Sequence, residues 1–245
     1  MADPLFMVQL PLDQRRLYAF AAGQRLGDDD GDDGYLFHAV LAALFGVASP
    51  KPFAATSRAA GGRALLAYSS RDDHMLREAA MLQAEPDVFR IIDWDMAAAK
   101  PMPAAFVADQ PLAFTVRVLP VVRVGKHHPR FSPGAEVDAF LARAEADRDG
   151  PKPDRQAIYA EWLRGQFTGG GAEIITAAVS GRRRTTLLRK AAAGGRRAMR
   201  QHTDIDMSGT LIVRDPDAFR RYLARGVGRH RAFGFGMLLL KPAGG

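Results

Sequence analysis

Leu211 to Val213, Asp215 to Ala224 and Met237 to Leu240 read as strand, helix and strand, and the helix is joined to the last strand by Gly226-Val227-Gly228-Arg229-His230-Arg231-Ala232-Phe233-Gly234-Phe235-Gly236. An ending of this kind commits the chain to a fold that mixes strands with helices. Four glycines in eleven residues let a backbone approach a ligand without interference from Cβ. Arg229 and Arg231 add cations suited to phosphates, and Phe233 and Phe235 add rings. Together these residue types point to nucleic acid; a tight connection with solvated arginines would use the same letters.

Toward the N-terminus, Leu5 to Leu10 reads as a strand, Asp13 to Leu26 as a basic helix, and Gly27 to Gly34 as an acidic loop with five aspartates. That loop lacks calcium-loop spacing and a terminal Glu, so neither a metal nor any other cofactor is expected. Tyr35 to Phe45 is a strongly apolar helix stopped by Gly46, with Asp32 and Asp33 near its positive end. Arg63 to Tyr68 predicts a strand, Asp73 to Leu82 a helix and Phe89 to Trp94 another strand. Pro101, Pro103 and Pro111 mark a linker, which divides the chain into units of residues 1–105 and 106–245.

In the second unit, Leu112 to Val124 predicts one long strand with Arg117 and Arg123 on one face, followed by the turn Gly125 to Arg130. Helices are expected at Glu136 to Asp147 and at Asp154 to Phe167, the latter with Ile158, Trp162 and Leu163 on one side. A strand from Glu173 to Val179 then leads into a basic tract. Arg182, Arg183, Arg184, Arg189, Lys190, Arg196, Arg197 and Arg200 place eight cations in nineteen residues without one acid. Their mutual repulsion is best relieved by a polyanion, and Gly194-Gly195 would let two short basic elements follow a curved surface. A solvated helix or tail is the alternative; Leu187 and Leu188 make too thin an apolar face for a bilayer.

The charge balance agrees. Lys and Arg outnumber Asp and Glu by 34 to 27, for a net charge of +7, and most of the excess is arginine, the residue suited to bidentate phosphate contacts. There is no cysteine, which excludes disulfides, thiolate metal sites and cysteine nucleophiles and favours a reducing cytoplasm. No apolar run reaches the roughly 18 residues of a membrane span, so no membrane partner is expected. A transcriptional regulator would need a helix-turn-helix with a basic second helix, which is not recognisable.

Catalytic candidates are few. The six histidines, His38, His74, His127, His128, His202 and His230, form neither a His-Glu-x-x-His helix nor a zinc set. A serine hydrolase elbow and a phosphate-binding Walker loop are missing. His38 stands out within an apolar helix, with Tyr35 one turn earlier on the same side. It is either a packed, hydrogen-bonded histidine or a catalytic one to which a basic surface presents an RNA backbone.

Tyr35-Leu36-Phe37-His38 and the loop running on through Leu239 resemble two hallmarks of the CRISPR repeat-cleaving endoribonucleases of the CasE kind, which mature guide RNA in type I-E systems. Pro111 to Arg123 and Asp154 to Phe167 add fainter correspondences. The resemblance implies an α+β fold of two tandem ferredoxin-like (RRM-like) domains, each β-α-β-β-α-β, with CRISPR repeat hairpin RNA lying on a basic surface and along the cleft between them. It implies metal-independent cleavage at the hairpin base, leaving a 2′,3′-cyclic phosphate and a 5′-hydroxyl, and retention of the product in a type I-E or type IV effector complex. On this reading His38 is general acid or base, Tyr35 orients the phosphate or ribose, and Arg231, with Arg229, stabilises the phosphorane. Gly228 and Phe233 join them in the loop, and the tract from Arg182 to Arg200 grips the stem. The extra helix and acidic loop before His38 depart from the pattern, which brings in Arg16 and Arg25 as alternative catalytic residues. The non-catalytic alternative is a hairpin-binding subunit of a ribonucleoprotein.

Overall fold

The computed structural model describes residues 4–24, 26, 33–57, 62–148, 150–189 and 198–244. In chain order the elements are β1 (Phe6–Leu12), α1 (Gln14–Gly23), α2 (Gly34–Phe45), β2 (Phe53–Ser57), β3 (Arg63–Ser69), α3 (Asp73–Gln83), α4 (Pro86–Phe89) and β4 (Ala98–Pro101), then β5 (Pro111–Val118), β6 (Val121–Arg123), β7 (Glu136–Asp138), α5 (Ala139–Ala146), α6 (Arg155–Gln166), β8 (Ala172–Arg189), β9 (Ala198–Val213), α7 (Pro216–Arg225) and β10 (Leu239–Pro242).

Two four-stranded antiparallel sheets result, ordered β2-β3-β1-β4 and β10-β5-β9-β8. In each, the first strand lies between the third and fourth strands of that sheet, which is the ferredoxin-like arrangement that the resemblance implies. The chain passes from one sheet to the other between Pro101 and Pro111.

Aspartates start five of the helices. Asp13, Asp72, Asp138, Asp154 and Asp215 each accept a backbone N–H of the first turn, so the residue that reads as the first of a helix is often its cap. Helix α2 is held differently: Asp33 pairs with Arg63 of β3 at 2.5 Å, which ties the helix entrance to the sheet. Leu36, Phe37, Val40, Leu41 and Leu44 are buried in one core with Val8 and Leu10 of β1 and Leu65 of β3. The opposite face of that sheet is also covered, since Leu5 and Tyr68 belong to the core of the second unit. This explains why β3, Arg-Ala-Leu-Leu-Ala-Tyr-Ser, lacks alternation of polar and apolar residues.

Three expectations need correction. Phe89 to Trp94 is not a strand: Pro86 opens the short α4, Ile92 makes one isolated bridge to Leu12, and the edge strand is β4. Its apolar residues instead fill a corner, with Trp94 stacked on Phe89 at 5.3 Å and donating to the Phe89 carbonyl. The long strand predicted from Leu112 breaks at Leu119-Pro120 into β5 and β6, because proline has no N–H for a ladder. Finally, the basic tract is not a pair of short elements. Strands β8 and β9 form a hairpin paired from Ala172↔Val213 to Arg189↔Ala198, with irregularities at Ile174/Thr176 and Val179/Gly181.

Candidate functional site

The glycine-rich loop leaves the C-terminus of α7 and folds back on itself. Gly226, Gly228, Gly234 and Gly236 all have φ between 67° and 83°, and two of them permit close approach of backbone to its surroundings. A Cβ on Gly236 would stand 2.1 Å from the Val227 carbonyl oxygen, and one on Gly226 would stand 2.8 Å from the Pro52 ring. Val227 N donates to Gly236 O at 2.8 Å, which closes the loop, and Gly236 N donates to Arg117 O at 2.7 Å, which pins it to β5. The glycines let the loop pack closely on itself and on Pro52, Phe53 and Trp162.

What the loop presents is Phe233. Its ring lies parallel to Tyr35 at a centroid distance of 6.2 Å and 4.9 Å from His38, so a residue of the second unit meets the two α2 residues singled out by sequence. Tyr35 and His38 lie 6.4 Å apart, edge to face, one turn apart on the side of α2 away from its buried leucines. His38 is half-buried, and both its burial and the nearby positive charge of Lys51 push its imidazole below the ordinary 6.5. The neutral ring is thus the resting form at neutral pH.

Beside this cluster opens a cavity of about 860 Å³ lined by Lys51, Arg225, Arg231 and Tyr222 among others. Arg231 donates from Nη1 to the Arg225 carbonyl at 2.8 Å, which folds its guanidinium over the end of α7. Burial and the neighbouring Arg225 lower its proton affinity, yet a guanidinium remains charged at any relevant pH. Tyr222 is pushed up to about 12 by burial, and its hydroxyl donates to Gln166 O at 2.6 Å. It serves as a wall rather than as an acid.

Arg229 is already paired: its Nε lies 2.6 Å from Glu136 of β7, whose carboxylate also approaches His230 Nε2 at 3.4 Å. His230 in turn sits 5.9 Å from His202 of β9 and 6.4 Å from Phe233. Gly228 packs against the Trp162 ring and lines the same cavity. Lys51, Glu136, His202 and Tyr222 all escaped sequence reasoning. Lys51, Glu136 and His202 lie far from the loop in sequence, Tyr222 sits on the helix that leads into it, and none belongs to a local motif, so only the packing around the loop reveals them.

The arginines of the hairpin divide by face. Arg183 opposes Asp204 and bonds both Asp204 and Asp206, while Arg117 donates from Nε to the same Asp204 at 2.9 Å. Farther along that face Thr185 and Leu187 are buried, Leu187 with Leu119, Val121 and Phe235 beneath the loop. Arg182 and Arg184 are exposed on the other face. Arg189 and Arg200 are strand positions of the same hairpin; Lys190, Arg196 and Arg197 lie outside the described residues, as does Arg25. Arg16 pairs with Asp13 and lines a separate cavity with Arg77 and Trp94, apart from the His38 cluster. Among the described residues no helix is long and apolar enough to cross a membrane.

The fold is shared with solved structures of low sequence identity. The CRISPR endoribonuclease Cse3 bound to a 19-nucleotide RNA is matched at a TM-score of 0.66 and 18% identity, over 98% of this chain and 100% of the other. Thermus thermophilus Cse3, bound to an RNA representing a pre-cleavage complex, gives 0.59 and 18% over 98% and 100%. Cas6e from Escherichia coli K-12 gives 0.55 and 16%, again over 98% and 100%. No curated protein matches the sequence. The model of the family described as CRISPR associated protein spans residues 5–242, nearly the whole chain, and by that match the protein belongs to the CRISPR-associated family.

Proposed function

We propose that this protein is a metal-independent endoribonuclease that cuts CRISPR precursor RNA at the base of the repeat hairpin and keeps the hairpin as a subunit of an effector complex. The observation that carries the proposal is the meeting of Tyr35 and His38 with Phe233 beside a cavity lined by Lys51, Arg225 and Arg231. RNA-bound Cse3 and a CRISPR RNA-guided surveillance complex are among the structures with this fold, which supports the choice of substrate and assembly.

The chemistry follows from what each group can do. The nucleophile is the substrate's own 2′-hydroxyl, so the protein must remove a proton, align the attack and stabilise charge. With its pKa lowered, His38 rests neutral and can accept the 2′-hydroxyl proton as the oxygen attacks the adjacent phosphorus. The P–O5′ bond breaks, the departing O5′ takes up a proton from water, and the products are a 2′,3′-cyclic phosphate and a 5′-hydroxyl. Arg231 is held over the end of α7, where a guanidinium can share the charge of the phosphorane, and Tyr35 orients the ribose or phosphate beside it. The exposed Arg182 and Arg184 hold the stem through its phosphates, and Arg189, Lys190, Arg196, Arg197 and Arg200 extend that grip. Arg229 acts on RNA mainly by fixing the loop, because Glu136 already engages it.

The test is cleavage of a 5′-labelled cognate repeat RNA in excess EDTA by the intact protein and by His38→Ala, with a 2′-deoxy substitution at the cut site. Cutting by the intact protein that both changes abolish supports the reading. Tight hairpin binding with no cleavage of any cognate repeat would establish the binding-subunit alternative instead.

A further inference from the structure

We propose that His230 of the glycine-rich loop is the general acid of the cleavage, the group that hands the departing O5′ its proton in place of bulk water. The role rests on the nuclease reading above and adds to it a second catalytic histidine, contributed by the other unit of the chain. An alkoxide is a poor leaving group, so a positioned acid helps the end of the reaction as a base helps its start.

His230 stands among the groups already described. It lines the cavity of about 860 Å³ together with Lys51, Arg225 and Arg231, and its ring centre lies 6.4 Å from that of Phe233. His38 meets Phe233 from the other unit at 4.9 Å, so the two imidazoles are no farther apart than these distances laid end to end. In-line displacement sets the attacking and departing oxygens on opposite sides of phosphorus, and a base and an acid that each hydrogen-bond one of them stand roughly 9–10 Å apart. The geometry around Phe233 admits that span.

The surroundings of the two histidines differ in sign. His38 faces Lys51, whereas the carboxylate of Glu136 lies 3.4 Å from His230 Nε2 with its other oxygen on Arg229. A cation favours the neutral ring, which accepts a proton, and a carboxylate favours the charged ring, which gives one; such a contrast divides two titratable groups into base and acid. The His230 and Glu136 side chains are only 13% and 9% exposed, so water screens their pairing weakly. Arg229 shares the carboxylate, Arg231 donates to the Arg225 carbonyl, and His202 stands 5.9 Å away; these neighbours temper the pairing. The backbone points the same way. His230 has a φ of 60°, in the left-handed region that Gly226, Gly228, Gly234 and Gly236 also occupy, and an imidazole kept there in spite of the strain marks a functional position. In the step itself the imidazolium proton passes to O5′ as the P–O5′ bond breaks. His230 is left neutral and regains a proton from water, while His38 returns to water the one it took from the 2′-hydroxyl.

Single-turnover cleavage by the full-length protein tests this on two repeat RNAs, one ordinary and one with sulfur in place of the departing O5′, because a thiolate leaves without needing a proton. His230→Asn keeps a residue suited to left-handed backbone. It should cut the ordinary RNA about 100-fold more slowly than the intact protein does, and the sulfur RNA within about 3-fold of the intact rate. Glu136→Gln should show a smaller loss with the same selectivity, and His38→Ala should be slow on both. The acid role is overturned if His230→Asn cuts the ordinary RNA at the intact rate, or if it slows both RNAs alike, as a purely structural histidine would. If the intact protein cuts neither RNA, the nuclease reading itself fails, and His230 has no reaction to serve.

Discussion

The two sheets have the same strand order, yet their central hairpins differ greatly. In the first unit β2 and β3 run 5 and 7 residues, and in the second β8 and β9 run 18 and 16. The short hairpin lies in a sheet buried on both faces; the long one carries exposed arginines. Conversely, the first unit supplies the helix with Tyr35 and His38, while the second supplies the loop that meets it. On the proposed reading a single topology separates two tasks, proton abstraction and grip, and the Tyr35, His38 and Phe233 cluster forms only where the units touch.

If that division is right, the largest effect of any substitution should be chemical and confined to the first unit. His38→Ala should slow cleavage by about 10² to 10⁴-fold, as loss of a general base does, with hairpin affinity nearly unchanged. Single-turnover rates and filter binding on the same preparation check both halves of the statement.

The next effect should be structural and should fall on the joint between the units. Gly236→Ala places a Cβ 2.1 Å from the Val227 carbonyl oxygen at a φ of 77°, so the loop must open. We expect a loss of roughly 2–4 kcal/mol from left-handed strain and overpacking, on the order of 5–15 °C in Tm, measured by calorimetry. A stable Gly236→Ala protein with full activity would show that the loop is not the joint we describe.

Changes on the long hairpin should weaken grip and spare chemistry. Arg182→Ala with Arg184→Ala should reduce the slope of log K against log salt by about 1.8, two phosphate contacts at about 0.9 each, with the rate at saturating enzyme unchanged. The same double change would have no effect on the slope if the stem lies on the Arg183 face.

The smallest effect is a displacement of the pH profile. His38 is pushed below 6.5 by burial and by Lys51, so a general base should give a rate that rises with pH with its midpoint below 6.5. Lys51→Met removes the like charge, which moves the histidine pKa, and with it the midpoint of that rise, upward. A midpoint that stays in place would mean that another group controls the limb.

Much of this was legible in the chain. The apolar run from Tyr35 to Phe45 read as a largely buried helix and Asp215 to Ala224 as another helix, and both formed. Tyr35 and His38 stood out because they share a side of a helix by periodicity alone. Besides the break at Pro120, two of the differences have physical causes that no local pattern carries. Phe89 to Trp94 has the apolar content of a strand but spends it on a corner packed around Trp94, and the basic tract has no local signal to distinguish extended from helical arginines.

Local order, the caps and the excess of arginine were thus determined by the sequence itself, because they depend on neighbours within a few residues. The partner of each charge was not. That Glu136 would hold Arg229, that Asp204 would bind both Arg117 and Arg183, and that Phe233 would lie against His38 depended on pairs 93, 87, 21 and 195 residues apart. Which arginines stay exposed is settled only when the sheets have paired and the two units have closed on each other, since Coulomb and packing energies act through space and not along the chain.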